Sequence, residues 1–118
     1  MVKSSSRRID SLLAEQLNKL NEQNDTLSTA EAVFLDLDAN KKALLAQLTI
    51  KAPGKSFAER ESIALASEDW ANFRKAHVNA EVAYNFEKRR FAILESAYLA
   101  AHATFKNEEQ IIRKGGAA

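Results

Sequence analysis

The sequence has no cysteine, and its 118 residues include one proline and three glycines. Without cysteine the chain has no disulfide scaffold, no thiol chemistry and no thiolate metal site. Four glycines and prolines are too few for the many turns of an all-β fold. No hydrophobic run approaches the roughly 20 residues of a membrane span, so we expect no membrane partner. These absences favour a helical protein.

Neither sign of charge is in large excess, since the sequence has 17 Lys and Arg and 16 Asp and Glu. A net charge of +1 gives no global field that would attract nucleic acid. The sequence contains no Gly-rich phosphate loop, zinc pattern, nucleophile elbow or Ser/His/Asp set. We therefore expect neither an enzyme nor a bound cofactor or metal. The missing cysteines fit a cytoplasmic location.

Alanine, the best helix former, occupies 21 positions. The only proline lies beside a glycine in the segment 51–55, and the other two glycines are at 115 and 116. The sequence predicts one all-α domain over 1–118: a helix over about 7–50, a turn at 51–55, a short helix at 56–66, a long helix at 68–113 and frayed termini. Ser56 with Glu59, and Ser67 before two acids, are typical helix starts. A single bent helix over 56–113 stays an alternative.

The long helix carries the clearest pattern, an apolar seam with a period of 3.5 residues from Trp70 to Ile112. That period keeps one face of a helix against a partner helix. The seam residues expected to hold the helices together are Trp70, Phe73, Tyr84, Phe91, Leu94, Tyr98 and Phe105. The fold predicted is a long antiparallel, coiled-coil-like hairpin.

The first helix has a looser stripe, interrupted by polar residues. It comprises Leu13, Leu17, Leu20, Asn24, Leu27, Ala30, Phe34, Leu37, Lys41, Leu44 and Leu48. A kink at 24–28 is possible because the segment 21–26 has poor helix propensity. We favour a continuous helix because the stripe crosses this segment in phase.

Eight of the nine aromatic residues follow residue 56, so a single hairpin would leave a wide apolar face exposed to solvent. The short helix can fold back over the hairpin, two hairpins can form a bundle, or a partner protein can cover the face. We expect a homodimer.

Three polar residues interrupt the long seam: His77, Glu87 and Glu108. A metal bundle would need Glu-x-x-His on facing helices, and no Glu stands three residues before either His. We interpret the three as seam-edge residues that reach water or set register. Asp36 and Asp38 cannot share a site, because residues two apart point about 200° from one another on a helix.

Basic residues cluster on the long helix at Arg74, Lys75, Lys88, Arg89 and Arg90. They offer a strip that could track a phosphate backbone, so DNA is a possible partner. A solvated, salt-bridged helix face is the alternative that we favour.

Several segments resemble a group of small helical-hairpin proteins of temperate phages and prophages, often encoded near single-strand annealing recombination genes. They are Ala58-Glu59-Arg60-Glu61, Ala64, Ala66-Ser67, Asp69-Trp70 and the run from Ala103 to Glu108. Glu68 stands where we expect a proline in that group. The resemblance implies a context in phage DNA metabolism, in an infected or lysogenic bacterium, and no catalytic or binding residue.

These patterns and the resemblance lead to three hypotheses about function. The first is a non-enzymatic accessory protein that self-associates and docks a protein of recombination or replication, or a host factor. The second is a nucleic-acid-binding accessory factor that uses the basic strip. The third is a structural coiled-coil component of a larger assembly.

Overall fold

The computed structural model describes the backbone of residues 2–117 and the side chains of residue 8 and residues 10–113. Its three helices are α1 (Val2–Lys51), α2 (Phe57–Leu65) and α3 (Glu68–Ala117). Residues 2–117 contain no strand. The prediction of an all-α hairpin with a short intervening helix is confirmed. None of the three helices has a stretch apolar enough to cross a bilayer, within the residues described.

Helix α1 is continuous through 24–28, where a kink had remained an alternative. The hydroxyl of Thr26 donates to the carbonyl of Glu22, so it bonds the preceding turn of the same helix. The weak propensity of this segment is overridden by packing, which supplies most of the stability of helices in proteins.

The turn and the start of α2 are held by local hydrogen bonds. Ser56 caps α2, since its hydroxyl accepts from the N–H of Glu59 at 3.1 Å. The carboxylate of Glu59 accepts in turn from the N–H of Lys55. Arg60 Nε donates to the Gly54 carbonyl at 2.9 Å, and a Cβ on Gly54 would lie 3.0 Å from Arg60 Cγ. Glycine at 54 thus permits this close approach.

Ser67 separates α2 from α3, so the two are distinct helices and not one bent helix. Its hydroxyl accepts from the N–H of Trp70 at 3.2 Å, as an N-cap does. Helix α3 continues past the expected end at 113, through Gly115 and Gly116. Glycine weakens a helix but ends it only by leaving the helical conformation. At the other end, α1 begins at Val2, five residues before the expected start at about 7. Fraying was expected at both chain ends, but the described backbone is helical from residue 2 at one end and up to residue 117 at the other, and Met1 and Ala118 lie outside the described residues.

The chain divides into two compact units. Unit 1 comprises residues 1–27 and 87–118, and unit 2 comprises residues 28–86. In unit 2, Phe34 of α1 contacts Tyr84 of α3, whereas Asp38, one turn later, contacts His77. The residue numbers of the contacts on α3 thus decrease as those on α1 increase, so the two helices are antiparallel in unit 2.

In unit 1, the covered residues of α1 alternate by three and four from Leu13 to Leu27. They differ from the expected stripe at two places in unit 1. Gln16 and Gln23 are covered, whereas Leu17 and Asn24 are exposed. Lys41, also expected in the stripe, is exposed. The covered stripe of α1 in unit 1 therefore keeps a regular heptad by admitting glutamines.

Candidate interaction surfaces

The seven predicted seam residues all lie on covered positions of α3. Trp70 is buried at 5% exposure, and the other six are half-buried. The Trp70 and Phe73 rings stack with centroids 5.5 Å apart, while Tyr98 lies beside His102 in unit 1. No large side chain in the described part of the chain is fully enclosed, so the interior is thin.

His77 lies at the centre of an aromatic stack in unit 2. Its ring centroid is 5.4 Å from that of Phe34 and 5.9 Å from that of Phe73. Its Nε2 lies 3.1 Å from Oδ1 of Asp38 on α1. The imidazole therefore joins α3 to α1 through its stack on Phe34 and its contact with Asp38.

Gln23 and Glu87 form the corresponding polar contact in unit 1. Gln23, 6% exposed, donates from Nε2 to the carboxylate of Glu87 and, at 3.3 Å, to its backbone carbonyl. Glu87 was expected at the seam edge, whereas the glutamine that binds it was not expected in the seam. The contact joins residues 64 apart in sequence, so no local pattern indicates it.

The acidic residues on α1 have separate partners. Asp36 accepts from the side-chain amide of Asn40, one turn along the same helix, and Asp38 contacts His77. Among the described side chains, no three His, Asp or Glu residues are grouped closely enough to hold a metal ion. In the same residues, every buried side-chain nitrogen or oxygen has a hydrogen-bond partner.

An open apolar groove of about 360 Å³ runs between α1 and α2 in unit 2. Its two most exposed apolar side chains are Ile50, at 77%, and Phe57, at 71%. The groove lining consists of Lys42, Leu45, Ala46, Thr49, Ile50, Phe57, Arg60 and Glu61. The sequence does not predict this groove, because the amphipathic pattern of α2 does not indicate which side of α2 packs against α1.

The five basic residues proposed for nucleic acid are all exposed. Arg74 and Lys75 belong to unit 2, where they line a shallow depression with Val78. Lys88, Arg89 and Arg90 belong to unit 1. The five residues therefore do not form one cluster within either unit.

No protein-family model, curated protein or solved structure matches this chain.

Proposed function

We propose that this chain is a non-enzymatic interaction protein that self-associates through its helical hairpin and docks a second protein. The observation that carries the proposal is the apolar surface that the described residues leave uncovered. Among those residues, Ala64, Trp70 and Ala80 are the only buried apolar ones, whereas fifteen large apolar side chains are exposed. Exposed apolar area on this scale is typical of surfaces that bind another protein.

The polar residues of the seam support a non-enzymatic role. His77 and Glu87 are the residues best suited to acid–base chemistry, and both are engaged in contacts between helices. Their positions serve the alignment of α1 with α3. Polar seam residues of this kind set the register of paired helices.

The groove between α1 and α2 is the surface proposed for the second protein. An amphipathic helix binds such a groove by inserting apolar side chains at helical spacing. Phe57 and Ile50 supply the apolar walls, while Lys42, Arg60 and Glu61 supply a charged rim. A central aromatic side chain surrounded by polar residues is the usual composition of a binding hot spot.

The resemblance to phage helical-hairpin proteins supplies the context of the proposal. It favours a partner from phage recombination or replication, or a host factor, in the cytoplasm of an infected or lysogenic bacterium. The wild-type chain and the variants Phe57→Glu and Val82→Glu would be used to capture proteins from lysates of such cells. Val82 is the matched control, because it is exposed in the same unit but does not line the groove.

We expect Phe57→Glu to lose a protein that both the wild type and Val82→Glu retain. Equal retention by all three would contradict docking in the groove. Loss from both variants would show that the changes act through the fold.

Nucleic-acid binding is the second candidate, because all five basic residues are exposed. It is tested by anisotropy of labelled single- and double-stranded DNA at about 50 and 200 mM salt, since each neutralised phosphate steepens the salt dependence. Tight binding that weakens steeply with salt, and that is lost when Lys88, Arg89 and Arg90 are reversed, would replace docking as the main function. No binding at the lower salt would exclude this candidate.

A further inference from the structure

In unit 1, one side of the paired helices presents apolar side chains that the described residues do not cover. An open depression of about 330 Å³ marks this side, and it is lined by Lys19, Glu22, Gln23, Thr26, Arg90 and Leu94. Leu12 stands seven residues before Lys19, and Ile93 stands three after Arg90, so each shares a helix face with a lining residue. Leu12 is 50% exposed and Ile93 is 69% exposed. We call this side, with Leu12 and Ile93, the unit 1 face.

The charges on the unit 1 face are complementary between its two helices. Glu22 on α1 and Arg90 on α3 line the same depression and lie close to the contact between Gln23 and Glu87. They are consequently at the same level along the helix pair. Neither forms an ion pair within the described side chains, whereas Lys19 lies 3.5 Å from Glu15.

We propose that a second copy of this chain docks on the unit 1 face about a two-fold axis parallel to the helices. Such an axis places α1 of each copy against α3 of the other and preserves the level of every residue. Arg90 of each copy then faces Glu22 of the other, and the exposed apolar residues Leu12 and Ile93 become covered. An axis perpendicular to the helices in the same plane, passing at the level of Glu22 and Arg90, would instead set like charges against each other. The inference rests on the proposed self-association and adds its surface and symmetry.

The test is a charge swap measured by sedimentation equilibrium over a concentration series. The samples are the wild type, Arg90→Glu, Glu22→Arg, an equimolar mixture of these two variants, and Arg89→Glu. Arg89 is the matched control, because it is exposed and adjacent but does not line the depression. Circular dichroism checks that each variant remains helical. Arg90→Gln and Glu22→Gln replace any reversal that fails to fold.

We expect each reversal to raise the dissociation constant of the dimer by about tenfold or more, because both symmetry-related contacts become repulsive. The mixture should restore the dissociation constant of the wild-type dimer. In the mixed dimer one chain carries Glu at positions 22 and 90 and the other carries Arg at both, so both contacts pair opposite charges. The dissociation constant of Arg89→Glu should stay within about threefold of the wild-type value, because an exposed charge outside the contact contributes little.

The possible outcomes distinguish failure of the proposed interface from failure of self-association. A wild-type dimer that neither reversal weakens would overturn the interface and leave self-association intact. Single variants that dissociate without rescue in the mixture would also overturn the pairing of Glu22 with Arg90. A wild type that stays monomeric throughout would overturn self-association, and the interface with it.

Discussion

Replacing Trp70 should reveal how far the stability of the chain depends on its thin interior. Trp70 is 5% exposed, stacks on Phe73 and lies in the first turn of α3, just after the Ser67 cap. Phe57, also aromatic and in the same unit, is 71% exposed. Trp70→Ala removes a buried aromatic ring, and Phe57→Ala removes an exposed one. Comparing the stability lost in the two variants tests whether burial decides the cost.

The expected magnitude follows from that burial. Removing a buried Trp or Phe costs about 3–5 kcal/mol, since the lost transfer free energy is joined by the cost of the cavity. For a chain of this length, about 4 °C in Tm accompanies each kcal/mol, so Trp70→Ala should melt roughly 12–20 °C lower. Phe57→Ala should stay within about 0.5 kcal/mol of the wild type, as exposed substitutions do.

The assay is thermal unfolding followed by circular dichroism at 222 nm, with urea unfolding as a second measure of the free energy. All chains must be compared at one concentration, because self-association makes Tm depend on concentration. A Tm for Trp70→Ala within 3 °C or so of the wild type would refute the reasoning. So would an equal loss for Phe57→Ala, because burial would then not decide the outcome.

Three further substitutions test the remaining contacts. Phe91→Ala should lower the free energy of unfolding in urea by about 1.5–3 kcal/mol. This is less than for a fully buried Phe, because Phe91 is half-buried. An unchanged urea midpoint would contradict its place in the seam. Ser67→Ala should cost about 1 kcal/mol, because the hydroxyl of Ser67 accepts from the N–H of Trp70 and donates to the carbonyl of Ala64. Ser67→Thr keeps a hydroxyl for both bonds and should retain stability, so equal loss in the two variants would exclude capping. Gln23→Ala should cost about 1–3 kcal/mol because it removes the hydrogen bond to the half-buried Glu87, and Gln23→Ala combined with Glu87→Ala should cost less than the sum of the two single changes. Strict additivity in that cycle would show that the two residues do not interact.

The seam of α3 was predictable because its apolar residues recur at a strict interval. Trp70, Phe73 and Tyr84 are strongly apolar, so their period is visible without knowledge of the partner helix. The two N-caps at Ser56 and Ser67 were predictable for a similar reason, since each depends on residues within three positions. Local chemistry was sufficient for these features.

The buried stripe of α1 was less predictable, because polarity is a poor guide where a polar group finds a partner. Leu17 is more apolar than Gln16, yet Gln16 is the covered residue. Gln23 is buried through its hydrogen bonds to Glu87 on the other helix, which satisfy a polar group that would otherwise be costly to bury. Such a partner is identified only once the two helices are aligned.

The proposed surfaces depend on tertiary arrangement to an even greater degree. Phe57 is strongly apolar, yet it is 71% exposed because of how α2 packs against α1. The pairing of Glu22 with Arg90 likewise requires knowledge of which side of each helix faces outwards. Sequence periods indicate that apolar faces exist, and only the packed helices indicate which of them stay uncovered.

The central claim is that the chain associates with itself, and the mass of the wild-type protein in solution tests it most directly. Sedimentation equilibrium from about 1 to 100 µM covers the affinities typical of specific dimers. A closed dimer of about 26 kDa, twice the 13.1 kDa of one chain, is the result that we predict. A mass that stays at 13.1 kDa across the whole range would contradict the account. Masses that keep growing with concentration would favour a structural component of a larger assembly.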